Sequence, residues 1–273
     1  MIGAVDIGGT KTLVAVFNNS GKIIEQEKFA TSQNYNEFLQ NLQSVVAKLA
    51  TKDLSCAGVA VPGRLDRKTG RALGYGTLKW GPESIEADVE KILNCPVVIE
   101  NDAKLAGLSE ALALDTKSDN ALYVTIGTGI SCALITDGKI NAAMADSEGG
   151  QILVQFRGKM TQWEDVASGR AIVERFGKKA TDINDEKTWK IISRDIAMGL
   201  MDLIVVIQPD IIIMGGGVNT NFKKYNTFVN DILKKLETPL VPIPPIVQAK
   251  HPEEAVIYGC YELAKERYGR VSK

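Results

Sequence analysis

The chain has 273 residues, with 32 Lys and Arg against 33 Asp and Glu, a formal net charge of -1 and 45 % apolar residues. That balance leaves no electrostatic footprint for nucleic acid or an anionic membrane surface, and it excludes a disordered or low-complexity chain. Four dispersed cysteines without a CxxC pair argue against a disulfide scaffold or a structural zinc site, and the only histidine, His251, lies in a charged stretch that reads as surface.

In chain order, Ile2 to Ile7 reads as a strand that runs into Gly8-Gly9-Thr10, and Thr12 to Phe17 as a second strand. Asn18 to Gly21 is a turn, and Ile23 to Phe29 alternates as a third strand does. Phe38, Leu42, Val45, Val46 and Leu49 have helical spacing within Tyr35 to Leu49. Ala57 to Val61 is a short buried-type strand stopped by Pro62-Gly63. A helix over Ile85 to Leu93, a strand over Val97 to Glu100 and a helix over Lys104 to Ala113 follow. This pattern implies a mixed sheet with helices packed on it.

The pattern then starts again. Ala121 to Ile126 is a strand ending in Gly127-Thr128-Gly129, and Ile130 to Thr136 is the next. Val5-Asp6-Ile7-Gly8-Gly9-Thr10 aligns with Val124-Thr125-Ile126-Gly127-Thr128-Gly129, and Gly21-Lys22-Ile23 with Gly138-Lys139-Ile140. The offset changes only from 119 to 117 residues between these landmarks, which points to an internal duplication. Trp163 to Phe176 and Thr188 to Ile207 have helical spacing, and Asp210 to Met214 is an apolar strand leading into Gly215-Gly216-Gly217. Phe222 to Leu236 is helical, Pro239 to Pro245 is loop or extended, and Glu253 to Tyr268 is a terminal helix. No apolar run approaches the ~18 residues that a membrane span needs. Met1 leads directly into Ile2 to Asp6 without a basic leader, so the expectation is a cytoplasmic protein.

Three glycine turns, each after an apolar strand, are candidates for holding phosphates and a flat base. In Asp6-Ile7-Gly8-Gly9-Thr10-Lys11 the backbone N–H groups and the Thr10 hydroxyl can cradle a phosphate, while Asp6 can hold a hydrated Mg2+. Read alone, that turn is an ordinary hairpin. Gly127-Thr128-Gly129 repeats it, and Gly215-Gly216-Gly217 lets a planar group approach the backbone. Asp102, after Asn101 at the carboxyl end of a strand, either caps the next helix or accepts a proton from a substrate hydroxyl; local sequence favours the cap. Glu148, Gln151 and Glu164 are the residue types that bridge vicinal hydroxyls of a polyol, although spacing alone does not separate them from surface polarity. Trp80 either stacks on a sugar ring or belongs to the core.

With these residues assembled, the chain resembles the ROK family of sugar kinases and related repressors, from Ile2 to about Ala264. The family lies in the actin, hexokinase and Hsp70-like superfamily. The resemblance implies an α/β fold of two ribonuclease H-like (actin-like ATPase) domains, with mixed sheets flanked by helices and a cleft between them. The domains would be 1–116 plus the terminal helix 253–273, and 117–252. It makes Asp102 the catalytic base, in Glu100-Asn101-Asp102-Ala103. Asp6, Gly8, Gly9, Thr10, Lys11, Gly127, Thr128 and Gly129 become the phosphate and Mg2+ side, and Gly215, Gly216 and Gly217 the adenosine side. Gly63, Asn101, Asp102, Glu148, Gln151 and Glu164 become the sugar side.

The implied activity is ATP-dependent phosphorylation of a hexose, glucose first. The alternatives are fructose, mannose or an N-acetylamino sugar as acceptor, polyphosphate as donor, or a sugar sensor that has lost catalysis. Two departures bear on the substrate: Gln151 stands where the family commonly has histidine, and the cysteine-rich zinc loop is missing, so no zinc is expected. The phosphate motif begins at Asp6, which leaves no room for the helix-turn-helix of the family's repressors, and no nucleic-acid or membrane partner is expected. Homodimers are common in the family, yet no segment marks an interface.

Overall fold

The computed structural model of the protein describes residues 1–251 and 254–269. The chain divides into two compact units, Met1–Ser109 with Glu253–Lys273, and Glu110–Pro252.

The first unit contains β1 (Ile2–Ile7), β2 (Lys11–Phe17), β3 (Ile23–Ala30), α1 (Tyr35–Lys48) and β4 (Cys56–Val61). The hairpin β5 (Arg64–Asp66) and β6 (Arg71–Gly74) follows, then α2 (Ile85–Leu93), β7 (Val97–Asn101) and the start of α3 (Asp102–Leu112). The sheet order is β3-β2-β1-β4-β7, antiparallel from β3 to β1 and parallel from β1 to β7. Alternation along β1 sends Val5 and Ile7 to one face and Ile2 and Ala4 to the other. On the first face they join Val14, Val59 and Val97 under Phe38 and Leu42 of α1 and Ile85 and Val89 of α2. On the second face small side chains, Ala4, Ala15 and Ala60, meet Leu105 of α3 and Ile257, Cys260 and Tyr261 of the C-terminal helix, Ala255–Tyr268. The reading of a helix from Glu253 starts outside the described residues.

The second unit contains β8 (Asn120–Ile126), β9 (Ile130–Thr136), β10 (Lys139–Ile140) and the 3-10 turn Gly149–Gln151. The hairpin β11 (Leu153–Phe156) and β12 (Lys159–Gln162) leads into α4 (Glu164–Ala167) and α5 (Gly169–Phe176), then α6 (Glu186–Ile207). Then come β13 (Ile211–Gly215), α7 (Phe222–Lys234) and β14 (Ile246–Gln248). Its sheet order, β10-β9-β8-β13-β14, matches the first sheet strand for strand, with the same antiparallel and parallel pairs. Both mixed sheets therefore carry one topology, which is the duplication seen in the glycine turns.

The structure differs from the sequence reading in a few elements. The helical run from Trp163 to Phe176 is two helices, because Ser168 is extended (φ -71°, ψ 165°) and its hydroxyl caps α5 by accepting from Ala171 N–H. Helix α3 starts at Asp102 rather than Lys104. β14 follows the proline run and pairs only three residues, too few to show periodicity. The hairpins β5–β6 and β11–β12 are short and mostly solvent-facing, and they lack the apolar alternation of a core strand. No described helix is long and apolar enough to cross a membrane.

Candidate active site

Asp6 is half-buried near the end of β1, between fully buried Val5 and Ile7, where a carboxylate loses much of its hydration. Burial, and then the negative charge of Asp102, push its carboxyl from the usual 3.8 up to about 7, with Lys28 pulling the other way. Lys28 reaches this row of the sheet through register: Asp6 pairs with Leu13, and Leu13 with Lys28. Burial also raises Asp102, opposed by the Ala103 N–H and by the charge of buried Lys104. The Asp102 charge thus makes Asp6 harder to ionise, and burial does the same to both carboxyls.

Asp102 does not serve as the helix cap. The Asn101 side-chain oxygen accepts from the N–H groups of Ala103 at 3.0 Å and Lys104 at 3.4 Å. An Asp102 oxygen accepts from the neighbouring Ala103 N–H, at 2.8 Å. The Asn101 amide donates to the Gly63 carbonyl at 3.1 Å, which ties the Pro62-Gly63 turn to the end of β7. Gly63 has φ +102°, and a Cβ there would fall on the Gly74 carbonyl oxygen, so only glycine fits this turn. Beneath Asn101, buried Glu100 is gripped by Arg67, whose Nε and Nη2 lie 2.7 and 2.6 Å from its two oxygens. Arg67 and Lys104 escaped the sequence reading: an arginine in a short hairpin and a lysine inside a helix carry no signal there.

The first glycine turn closes by a hydrogen bond from Gly8 N–H to the Lys11 carbonyl at 3.0 Å, and Thr10 and Lys11 are exposed. Gly9 lies against Thr77. Trp80 is a core residue. Its indole N–H donates to the Ser32 carbonyl at 2.9 Å, and its ring packs on Phe38 and Tyr75.

In the second unit, Gly127 N–H donates to the Gly129 carbonyl at 2.9 Å, and the Gly127 carbonyl accepts from Gly169 N–H at 2.7 Å. The break at Ser168 thus brings the start of α5 onto the glycine turn. Glu164 reaches the same turn from the other side. One of its oxygens accepts from Ile130 N–H at 3.3 Å and would lie 2.7 Å from a Cβ on Gly129; the other accepts from the Gln151 amide at 2.6 Å. Gln151 and Glu164, thirteen residues apart, are direct partners. Glu148 precedes them at the head of the 3-10 turn, its carbonyl accepting from Gln151 N–H at 3.0 Å. His251 is half-exposed, with Nδ1 3.6 Å from a Glu110 oxygen.

A cavity of about 510 Å³ joins Gly127 and Thr128 to Gly217, with Arg170, Lys179 and Thr181 on its wall. Those three residues were not anticipated; they lie in a capped helix and a loop whose sequence marks no ligand. Gly216 has φ +85° and sits against the Ile126 carbonyl oxygen, 2.6 Å from where a Cβ would be, whereas Gly217 faces open space. The Asn219 amide donates to the Gly215 carbonyl and fixes the loop.

The protein-family model described as the ROK family matches residues 2–267, and the chain belongs to that family. It is 31 % identical to a putative fructokinase of Bacillus subtilis over 80 % of this chain and 77 % of that one. It is 29 % identical to an N-acetylmannosamine kinase of Vibrio cholerae over 79 % of this chain and 83 % of that one. Among solved structures, a ROK family glucokinase from Streptomyces griseus in complex with glucose and AMPPNP superposes with a TM-score of 0.79 at 25 % identity, covering 96 % of this chain and 98 % of that one.

Proposed function

From its place in the ROK family, we propose that the chain is an ATP-dependent sugar kinase that phosphorylates a free hexose, glucose first, with Asp102 as the catalytic base. The observation that carries this reading is the division of labour between neighbours. Asn101 does the capping, so Asp102 is held at the carboxyl end of β7, half-buried, with a raised pKa that suits a proton acceptor. In the reaction Asp102 takes the proton of the sugar hydroxyl, the freed oxygen attacks the γ-phosphorus, and ADP leaves.

The remaining roles follow from the resemblance to the ROK family. Gly8, Gly9, Thr10 and Lys11, with Gly127, Thr128 and Gly129, offer backbone and side-chain donors to the phosphates. Gly215, Gly216 and Gly217 receive the adenosine in the cavity that also holds Thr128 and Lys179. Gly63, Asn101, Glu148, Gln151 and Glu164 hold the sugar; the Gln151 to Glu164 hydrogen bond sets which oxygens remain for its hydroxyls. Phosphoryl transfer draws on such positioning more than on covalent chemistry.

The carboxylate pair Asp6 and Asp102 fits a divalent cation, since each ionises at the other's expense until a positive charge joins them. Asp6 would hold Mg2+ through its hydration shell, and the ion supplies neutralisation of phosphate charge when bound.

Fructose and N-acetylmannosamine are the acceptors in the names of two relatives, and they are the alternative sugars. The test is a coupled ADP-release assay with Mg-ATP and a panel of hexoses and N-acetylhexosamines, with Asp102→Ala as control. Sugar-dependent release that disappears in the variant supports the kinase and names its acceptor. Release with no sugar, nor with polyphosphate as donor, overturns it in favour of a sugar sensor.

A further inference from the structure

The second unit has another cavity, of about 600 Å³, between the hairpin β11–β12 and helices α5 and α6. Three arginines line it: Arg157 from the hairpin, Arg175 from α5 and Arg194 from α6. Phe156 and Phe176 supply aromatic walls, and no carboxylate is among the lining residues. The Arg175 guanidinium lies over both rings, 4.7 Å from the Phe156 centroid and 5.1 Å from that of Phe176. Its Nη2 is 2.7 Å from an Asp195 oxygen and its Nη1 donates to the Val166 carbonyl. Its Nε–H is buried without a partner among the described residues. A buried donor left unmatched in a native fold calls for an explanation.

Charge accounting gives the ligand class. Asp195 is fully buried behind the wall and serves both Arg175 and Arg194, the latter at 3.2 Å. One carboxylate against three guanidinium groups leaves two positive charges around a cavity of ligand size. Arg157 (φ +49°) and Gly158 (φ +79°) are the two central residues of the hairpin turn, and the Arg157 guanidinium is 5.1 Å from the Phe156 ring.

We propose that this cavity binds a small phosphomonoester. Such a group carries about -1.5 to -2 charges at neutral pH, which balances the surplus; a single carboxylate would leave it half unmet. Guanidinium forks match phosphate oxygens in pairs, which three lysines would not do. The aromatic walls accept the apolar face of a sugar or other carbon body. Its source is either a phosphorylated sugar or free phosphate, and the two separate by affinity.

The test is isothermal titration calorimetry at fixed salt, with AMPPNP and glucose present in excess to fill the catalytic site. The probes are glucose 6-phosphate, inorganic phosphate and, as a neutral control, additional glucose. Binding of at least one phosphate probe is expected, with affinity reduced tenfold or more in Arg157→Ala/Arg194→Ala. Both side chains are exposed, so the variant should melt as the wild type does and keep its KM values for sugar and nucleotide. Tighter binding of glucose 6-phosphate than of phosphate assigns the site to a phosphorylated sugar; equal binding assigns it to free phosphate. No heat with either probe at millimolar concentration, or equal affinity in the folded double variant, overturns the proposal.

Discussion

The Asn101 amide donates to the Gly63 carbonyl at 3.1 Å, so the Pro62-Gly63 turn and the residue before the candidate base are one hydrogen-bonded unit. Because the other end of the same side chain caps α3, removing Asp102 leaves both connections in place.

Asp102→Ala should therefore lower kcat by roughly 10²- to 10⁴-fold, the usual contribution of a positioned acid–base group. Its melting temperature should equal or exceed the wild-type value, since a poorly hydrated carboxyl is removed. Turnover near the wild-type level in a folded variant would assign the base to another residue.

Asp6 makes stability depend on pH. Below about pH 4 its carboxyl is protonated in folded and unfolded chains alike. As pH rises towards about 7, only the unfolded chain releases the proton, so the folded state loses stability, on the order of 4 kcal/mol at most, and then levels off. Asp6→Asn should flatten that decline in melting experiments between pH 4 and 8. Added Mg2+ should recover part of the loss in the wild type and none in the variant.

Gly63→Ala places a methyl group on the Gly74 carbonyl and forces a positive φ on a residue with a Cβ. A loss of about 2–4 kcal/mol is expected in chemical denaturation, with sugar KM rising because Asn101 moves with the turn. A variant as stable as the wild type would mean that the turn adjusts freely.

Gln151→Glu sets a like charge 2.6 Å from the Glu164 oxygen that the amide now engages. Sugar KM should rise at least about tenfold near neutral pH, by an amount that shrinks as pH falls and one carboxyl takes a proton. An unchanged KM at all pH values would remove both residues from the sugar side.

Two neighbouring glycines separate folding from nucleotide binding. Gly216→Ala collides with the Ile126 carbonyl at a positive φ and should destabilise the second unit. Gly217→Ala meets nothing within 4 Å, so the protein should fold normally while the new methyl group narrows the cavity and raises the KM for ATP several-fold. Equal ATP kinetics in Gly217→Ala would move the adenosine elsewhere.

Much of this molecule is legible in its sequence where burial imposes a period. Ile2–Val5, Ala121–Val124 and Ile211–Met214 are continuous apolar runs because they belong to central strands buried on both faces. The two glycine turns align because they occupy equivalent corners of duplicated sheets. What was not legible depends on contacts between distant residues. Asn101 and Asp102 are both good caps, and only the fold shows which one caps. The grip of Arg67 on Glu100 and the bond from Gln151 to Glu164 cross separate elements and leave no periodic trace. The cationic cavity joins a hairpin and two helices whose charges read singly as solvated surface.

The C-terminal helix has a consequence for how the chain is made. It covers the second face of the first sheet, yet the ribosome completes it only after the whole second unit has been synthesised. During synthesis, Ala4, Ala15 and Ala60 wait with that face open, whereas every strand of the second sheet is already present. The second unit can thus close its core first, and the unit that begins the chain finishes last, leaving an apolar surface for chaperones to shield in the interval.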